Sequence, residues 1–313
     1  MAPSLDIIIV NWNTGRQLQR CIHSIAVAGR EGLDLHRVLV IDNDSHDDSV
    51  LSLEADGLPL LVQVNDQNRG FAAACNQGAR GATADYLLFL NPDTELFPQS
   101  LTVPVRYMER PQAADVGICG VRLVDSAGAP AVVGARFPKP GVLIAESLGL
   151  PRLWPSRFKR RLISAAECTS TRDIDQIIGA FYLVRRTLFE KLHGFDERFF
   201  VYFEEVDFSL RARQMGYRSV YLPEAEARHH GGLSSDQVRA ARLFYSLRSR
   251  LLYVFKHYRG PVAWVLTVVT VAIEPWTRTG LALLRRSPRE AGETLRAYRM
   301  LGEDWCRRVL GSR

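Results

Sequence analysis

The chain has 313 residues, of which 47% are hydrophobic and 24% charged, as is usual for a folded globular protein. This composition excludes a disordered chain, a collagen-like fibre and a disulfide-rich miniprotein. No run of about eighteen uncharged apolar residues occurs, so a conventional transmembrane span is not expected. The N-terminus lacks the basic stretch of a signal peptide. Five scattered cysteines without a CxxC pair indicate reduced thiols and a cytoplasmic protein.

Positive charge is concentrated in the C-terminal part of the chain. Residues 233–313 contain 15 Lys and Arg against 6 Asp and Glu, whereas the remainder contains 25 basic and 28 acidic residues. A basic tail on a slightly acidic body predicts an anionic partner, either nucleic acid or a membrane surface. No nucleic-acid-binding motif accompanies the tail, so the sequence does not favour nucleic acid.

Short apolar segments lie within this basic tail. Pro261–Ile273 is apolar and is closed by Glu274 and Pro275, and a second apolar piece at 280–284 ends in two arginines. Tryptophans and basic residues around short apolar segments are typical of a helical chain that lies in a membrane interface. The sequence therefore predicts a protein attached peripherally to the inner face of the plasma membrane. A buried helix, or a homo-oligomer contact between copies of the chain, is the alternative.

Strand-like and helix-like segments alternate through the first two hundred residues. Predicted strands cover residues 5–10, 38–41, 60–64, 86–90, 116–121, 179–184 and 218–222. Predicted helices cover residues 17–28, 71–81, 98–110, 187–192 and 205–215. This order predicts an α/β fold with a mostly parallel sheet flanked by helices. Residues 1–232 would form this domain and residues 233–313 a helical basic extension.

Residues 136–161 are rich in proline and basic side chains, and a loop is predicted there. Loops of this length often close over a site or are simply mobile. The sequence leaves both roles open.

Polar side chains follow three of the predicted strands, at the point where each strand ends. Asn11 follows the first strand, Asp42 the second, and Asn91-Pro92-Asp93 the fourth. Ligands of α/β sheets bind in the crevice outside the carboxyl ends of the strands. No GxGxxG follows the first strand and no GxxxxGK[ST] occurs, so neither a nicotinamide site nor a P-loop is indicated.

Two further features suit catalysis or metal binding. Asp93 at a strand exit can bind a hard divalent cation, or simply form a turn with Pro92. His229 follows another strand and could complete a metal site. Glu205 and Asp207 follow an apolar segment, where a carboxylate can act as general base for a hydroxyl nucleophile. The helix dipole, or an ion pair between Asp207 and an arginine four residues on, is the structural alternative.

The order of these motifs resembles that of family 2 glycosyltransferases of the GT-A fold. The motifs are V-N-W-N, V-I-D-N-D-S, N-R-G-F-A-A-A-C-N-Q-G, F-L-N-P-D-T, G-A-F-Y-L-V-R-R, F-E-E-V-D-F-S-L-R-A and H-H-G-G. The resemblance covers about residues 5–232. It is greatest to bacterial rhamnosyltransferases that extend lipid-linked cell-wall and O-antigen precursors. It implies an inverting, metal-dependent transfer of a sugar.

The resemblance also implies where the donor nucleotide binds. Asp42 would accept a hydrogen bond from the pyrimidine N3–H, and Val10 and Asn11 would line the base and ribose. The residues that would contact the ribose and diphosphate are Asn68, Arg69, Gly70 and Asn76.

Asn91 and Asp93 stand where the family has its DxD motif, so Asp93 would bind Mg²⁺ or Mn²⁺ with His229 as a further ligand. Asn91 in place of an acid would leave more of the coordination to diphosphate and water. Glu205 stands where the family has its catalytic base, most often Asp in F-E-D-V-D. Here the sequence is F-E-E-V-D, so Asp207 is the alternative base.

The implied donor is dTDP-L-rhamnose, with a UDP-hexose or a UDP-N-acetylhexosamine as the alternative. The implied acceptor is a saccharide linked to polyprenyl diphosphate at the membrane. A nucleotidyltransferase would need a first loop rich in Gly and Lys, which residues 11–16 do not provide. A non-catalytic module that binds nucleotide sugars, with structural acids, is the alternative from another class.

Overall fold

The structure is a computed structural model that describes residues 2–51, 53–231 and 239–310, with side chains through residue 307. The chain divides into two compact units. The first comprises Met1–Phe137, Leu162–Phe200 and Glu204–Ser234, and the second Pro138–Arg161, Val201–Phe203 and Ser235–Arg313. The sequence indicated a single boundary after residue 232. In the structure, residues 138–161 and 201–203 also group with the helical tail.

A nine-stranded sheet forms the centre of the first unit in the part of the chain that the structure describes. Its strands are β1 Ser4–Asn11, β2 Asp34–Asp42, β3 Leu60–Val64, β4 Tyr86–Leu90, β5 Thr94–Leu96, β6 Val116–Val124, β9 Arg172–Asp173, β11 Phe181–Arg185 and β12 Arg218–His229. Their order is β3-β2-β1-β4-β11-β6-β12-β5, and β9 pairs with β12. Strands β1 to β4, β6 and β12 share one direction. The predicted α/β fold with a mostly parallel sheet is therefore confirmed.

A second, three-stranded sheet and the flanking helices complete the first unit. The small sheet consists of β7 Val132–Ala135, β8 Leu162–Ser164 and β10 Gln176–Ile177. The helices of the unit are α1 Arg16–Val27, α2 Phe71–Ala79, α3 Thr102–Met108, α6 Arg186–Lys191 and α7 Glu204–Gln214.

The apolar pattern of the sequence explains these elements. Ile7, Ile8 and Ile9 are at most 1% exposed, so β1 is buried on both faces and reads as a continuous apolar run. On α1 the buried residues recur at helical spacing, as at Leu18 and Ile22, and they cover one side of the sheet.

Two departures from the predicted elements shape the site. The short strand β5 was not predicted, and β12 was expected to end at Leu222. Instead β12 continues past Pro223 to His229, with a shift of register between Leu222 and Glu226. The extension pairs antiparallel with β5, so that His229 lies opposite Thr94. A register shift lets the strand pass a proline, which cannot donate a ladder hydrogen bond.

The second unit is helical among its described residues. Its helices are α4 Pro140–Ser147, α5 Leu150–Leu153, α8 Arg239–His257, α9 Gly260–Val268, α10 Glu274–Leu284 and α11 Pro288–Leu310, with a π-helical segment at Val269–Ile273. The prediction of a loop over residues 136–161 is wrong, because α4 and α5 lie within it. Both helices have proline in the first turn, where a missing N–H costs no hydrogen bond.

A buried ion cluster fixes the middle of the long helical segment at 260–284. The Glu274 carboxylate accepts hydrogen bonds from Arg250, from Arg278 Nε at 2.7 Å and from Ser147 Oγ at 2.8 Å. Burial raises the pKa of Glu274, but the positive charges of Arg250 and Arg278 outweigh it and hold that pKa below the ordinary value. A carboxylate at 1% exposure is tolerated because these donors compensate its charge.

Glu274 and Pro275 close the apolar segment Pro261–Ile273 in the sequence, but they do not end the helix. The chain stays helical from Gly260 to Leu284, over 25 residues, because Pro275 falls in the first turn of α10. Among the described residues, this is the helical stretch whose length and composition would suffice to cross a membrane.

Gly70 offers a test of the packing at the start of α2. It has φ of +85°, and a Cβ there would lie 2.5 Å from the Phe200 carbonyl oxygen. We expect Gly70→Ala to lower the free energy of unfolding by about 3 kcal/mol, from left-handed strain plus the clash. The matched control is Gly81→Ala, at φ of +65° with nothing within 4 Å, which should cost about 1 kcal/mol. Equal losses in urea unfolding would contradict this packing.

Candidate active site

The carboxyl ends of the parallel strands meet at one edge of the large sheet. Asn11 at the end of β1 is the register partner of Asp42 at the end of β2. Asn91 and Asp93 follow β4, which pairs with β1, and His229 ends β12. The polar residues predicted at separate strand ends are therefore brought to the same side of the unit.

Asn11 is buried and holds the side chain of Asp42 in place through hydrogen bonds. Its side chain is fully buried, and Nδ2 donates to Asp42 Oδ1 at 2.7 Å and to Ser49 Oγ at 2.8 Å. The Ser45 amide donates to the other carboxylate oxygen of Asp42 at 3.1 Å. These bonds hold the Asp42 carboxylate in one orientation and leave it further lone pairs to accept a ligand N–H. Val10, at 8% exposure, is also largely buried.

Asn43 connects the end of β2 to the segment 68–70, and sequence analysis missed it. Its Nδ2 donates to Asn68 Oδ1 at 2.9 Å, and its Oδ1 accepts from the Arg69 amide at 3.0 Å. The Gly70 amide donates to Asn68 Oδ1 at 3.0 Å. Asn68, Arg69 and Gly70 are therefore tied to the residue that follows Asp42. The signal was present in the D-N-D-S motif, where Asn43 stands beside Asp42.

Asn76 makes a different set of contacts. Its side-chain amide donates to the Phe195 carbonyl at 2.8 Å and to Glu197 at 3.0 Å, and its oxygen accepts from the Phe195 amide at 2.9 Å. The structure thus uses Asn76 to anchor residues 195–197 to α2. It does not place the Asn76 amide in the hydrogen-bond network of the segment 68–70.

Asp93 and His229 lie side by side. His229 Nε2 is 3.3 Å from Asp93 Oδ1, and the two side chains are 24% and 15% exposed. The next histidine, His230, lies 2.8 Å from Glu95 and so supports the pairing of β12 with β5. An imidazole nitrogen and a carboxylate oxygen at this separation fit a shared divalent cation.

The surroundings of Asp93 and His229 offer few further protein ligands for a metal. The described residues contain no group of three or more His, Cys, Asp or Glu side chains placed to hold a metal. Asn91 contributes backbone bonds to the turn, with its amide donating to the Ala180 carbonyl at 3.0 Å and its carbonyl accepting from Thr94 at 3.1 Å. Asp93 and His229 alone could hold a cation only if its other ligands came from outside the protein, as a diphosphate and water would supply.

The acids at the start of α7 have different surroundings. Asp207 is fully buried and accepts from Arg211 Nε at 2.7 Å, while Arg211 also donates to the Leu192 and Gly194 carbonyls. Glu205 is only partly buried and accepts from Gln176 Nε2 at 3.2 Å. Asp207 is therefore part of a structural ion pair, whereas Glu205 is a partly exposed residue whose Oε1 is bonded to Gln176 and whose Oε2 is buried.

Glu205 and Asp93 belong to the same region of the first unit. Gln176, which holds Glu205, is four residues before Ala180, whose carbonyl accepts from the Asn91 amide. Four extended residues span at most about 14 Å. Gln176 and Ala180 therefore connect the surroundings of Glu205 to the turn that carries Asp93.

Glu204, beside Glu205, is 4% exposed, and its Oε2 has no hydrogen-bond partner among the described residues. Burial raises the pKa of Glu204 well above its ordinary value, and the negative charge of Glu205 raises it further. Sequence analysis grouped the three acids, but their surroundings differ: Glu204 is buried with a raised pKa, Glu205 is partly exposed and bonded to Gln176, and Asp207 is ion-paired with Arg211.

Comparison with known proteins places this site in a family context. A family model described as glycosyl transferase family 2 matches residues 6–206. An N-acetylglucosaminyl-diphospho-decaprenol L-rhamnosyltransferase of Mycobacterium tuberculosis is 26% identical over 85% of this chain and 90% of its own. Rhamnosyltransferase WbbL of Escherichia coli K12 is 28% identical over 56% of this chain and 63% of its own.

A solved structure agrees at the level of the fold. The mannosyltransferase PcManGT from Pyrobaculum calidifontis, in complex with GDP-Man and Mn²⁺, has a TM-score of 0.55 and 18% identity. The match covers 96% of this chain and 86% of that one. The predicted GT-A fold is thus confirmed.

The raised pKa of Glu204 predicts how stability depends on pH. Since the folded state keeps this proton longer than the unfolded state, stability falls as pH rises from the ordinary value of 4.5 towards the raised pKa. Glu204→Gln should therefore raise the melting temperature at pH 8 and lose that advantage below pH 4.5. Thermal unfolding across this range, with the exposed acid variant Glu31→Gln as control, checks it. A lower melting temperature at pH 8 would show that Glu204 is ionised in the fold.

Proposed function

The chain belongs to glycosyl transferase family 2 and is a glycosyltransferase, and on this basis we propose its reaction. It is an inverting, metal-dependent transfer of L-rhamnose from dTDP-L-rhamnose to a hydroxyl of a saccharide linked to polyprenyl diphosphate. The observation that carries the proposal is the Asp93–His229 pair, 3.3 Å apart, at the sheet edge that also holds Asp42. Family membership removes the non-catalytic binding module as an alternative.

The choice of sugar and acceptor is supported by the relatives. Both are named rhamnosyltransferases, and the mycobacterial one matches most of its length and carries diphospho-decaprenol, a polyprenyl lipid, in its name. A UDP-hexose or UDP-N-acetylhexosamine donor is the second candidate. Asp42 does not discriminate between them, because thymine and uracil both present an N3–H.

The donor nucleotide would bind at the ends of β1 and β2. Asp42, fixed by Asn11 and the Ser45 amide, accepts the pyrimidine N3–H. The segment 68–70, bonded to Asn43, lies against the ribose and diphosphate. Preorganised polar groups lower the cost of ordering the site when the donor binds.

Asp93 and His229 would hold the cation, Mg²⁺ or Mn²⁺. When bound, the ion neutralises the charge that develops on the diphosphate leaving group. Asp93 supplies the oxygen that such hard cations prefer, and His229 supplies nitrogen.

Glu205 is the proposed general base. Gln176 Nε2 donates to its Oε1 at 3.2 Å, its Oε2 is buried, and the residue is partly exposed, so an acceptor hydroxyl would approach it from the exposed side. Glu205 takes the hydroxyl proton while the oxygen attacks C1 of the sugar from the face opposite the diphosphate. One displacement inverts the anomeric centre, so no covalent sugar–enzyme intermediate forms.

The proposed location follows from the acceptor. A polyprenyl diphosphate stays in a bilayer, so the enzyme works as a cytoplasmic protein bound peripherally to the inner face of the plasma membrane. The basic helical tail is the element proposed to make this contact, and self-association through the tail is the second candidate.

Replacing the base tests the mechanism. We expect Glu205→Gln to lower turnover by about 10²–10⁴-fold, since the amide cannot take a proton, with donor affinity unchanged. The matched variant Asp207→Asn weakens the ion pair with Arg211, so it should destabilise the fold by about 3 kcal/mol. Single-turnover kinetics and thermal unfolding separate the two. Full turnover in Glu205→Gln would refute the assignment.

Replacing the metal ligand tests the donor site. Asp93→Asn removes one of two protein donors, so nucleotide affinity should lose its dependence on Mg²⁺ or Mn²⁺ in calorimetric titrations. Glu95→Gln is the matched control, because Glu95 contacts His230 and not His229. A variant at Asp93 that binds dTDP with undiminished metal dependence would contradict the proposal.

A further inference from the structure

Exposed apolar side chains are concentrated in the second unit. Among the described residues, 14 of the 21 exposed large apolar side chains belong to this unit, although it is the smaller of the two. Trp264 is 54% exposed and Trp276 75%. Such a concentration on one unit marks an interaction surface, since scattered single residues would need no explanation.

The helical stretch 260–284 has one apolar exposed face. Its exposed members include Val262, Trp264, Val265, Val268, Val271, Trp276 and Leu283. The opposite side, at positions such as Ala263, Leu266 and Thr270, is buried. Between residues 260 and 277 the only charged side chain in the sequence is Glu274, and it is buried in the ion cluster. This set of exposed residues is called the apolar face below.

A second exposed apolar piece accompanies the C-terminal end of α10. Thr277 Oγ1 donates to the Ser147 carbonyl at 2.7 Å, and a Cβ on Gly149 would lie 3.3 Å from Leu281. These contacts hold the start of α5 along α10. Leu153 and Trp154, just beyond, are 58% and 57% exposed.

Arginines cluster at the same end. Arg152 comes three residues after Gly149 and Arg285 four residues after Leu281, so the contact between Gly149 and Leu281 brings both arginines to this end of α10. Partial desolvation lowers the pKa of Arg152, and the positive charges of Arg285, Arg278 and Arg160 lower it further. Glu290 offsets this only in part. Arg278 is committed to Glu274, but Arg152 and Arg285 are exposed. Like charges held together beside an apolar surface are stabilised by a shared anion.

We propose that the second unit lies flat on an anionic membrane, with the apolar face among the headgroups and Arg152, Arg160 and Arg285 bound to lipid phosphates. This proposal rests on the proposed function, because a polyprenyl-diphosphate acceptor is held in such a membrane and the enzyme must reach it there. Interfacial helices combine an apolar face, tryptophan and flanking arginine in this way.

Two other occupants of the surface fit the structure less well. If the helical stretch 260–284 spanned a membrane, the hydrogen bonds that Arg250 and Ser147 make to Glu274, in the middle of that stretch, would have to break. A second copy of the chain related by a twofold axis would bring its own arginines towards Arg152 and Arg285, and like charges across an interface are unfavourable.

Vesicle co-sedimentation of the full chain tests the apolar face. The chain should bind vesicles of phosphatidylglycerol and phosphatidylcholine, and binding should weaken with salt. Val268→Asp should reduce binding by about tenfold or more, because it places a charge in the headgroup region. The control is Val27→Asp, a valine of similar exposure at the end of α1 in the first unit, which should bind like wild type.

The arginines are tested in the same assay. Arg152→Ala and Arg285→Ala should each weaken binding about fivefold, the effect of one basic residue near an anionic surface. Neither should lower the melting temperature, since each removes repulsion within the cluster. Arg106→Ala, on the exposed side of α3, should change neither property.

Three results would overturn the proposal. They are equal binding to phosphatidylcholine alone, retention in vesicles after alkaline carbonate washing, and a dimer in sedimentation that Val268→Asp dissociates without any vesicle binding. Binding of dTDP-rhamnose measured without vesicles is independent of all three. If vesicle binding fails while donor binding persists, the proposed function stands and only the membrane contact falls.

Discussion

The antiparallel pairing of β12 with β5 is the constraint on which the site depends. This pairing places His229 Nε2 3.3 Å from Asp93 Oδ1, although the two residues are far apart in the sequence. The parallel order of β2, β1 and β4 positions the other residues of the candidate site, because it brings Asp42 and the turn after β4 to the same edge of the sheet. A few hydrogen bonds between strands thereby bring together the residues of the proposed donor and cation sites.

Much of the large sheet could be predicted from sequence, and the reason is burial. Strand β4 is a buried apolar run bounded by polar turns, and its predicted limits match the structure. The predicted limits of β3 also match, but most of its residues are exposed, unlike the buried strand that its apolar sequence indicated. The short β5 and the extension of β12 could not be predicted, because both depend on pairing between segments that are distant in the sequence. Strand β5 pairs with the end of β12, and the extension of β12 pairs with both β5 and β6. The helices α4 and α5 were missed because their prolines were taken as loop residues when they are first-turn residues.

The meeting of the predicted polar residues at one edge of the sheet could be inferred from the sequence, but the contacts of each side chain could not. Motif positions alone do not show whether an asparagine faces a ligand or the fold. Asn11 proves to orient Asp42, and Asn76 anchors residues 195–197. The role of Asp207 on α7 was easier to predict from the sequence, since the arginine four residues later already indicated an ion pair. Asn43 escaped notice because its role depends on the distant segment 68–70.

The most direct test of the account is thermal unfolding with dTDP-rhamnose and with UDP-sugars, each with Mg²⁺ and with a chelator. Saturation at 100 times the dissociation constant stabilises by about 2.7 kcal/mol, a shift of a few degrees. The account predicts a shift with dTDP-rhamnose that requires the metal. A shift that is equal in chelator, or none with any donor, would contradict a donor site built on Asp42, Asp93 and His229.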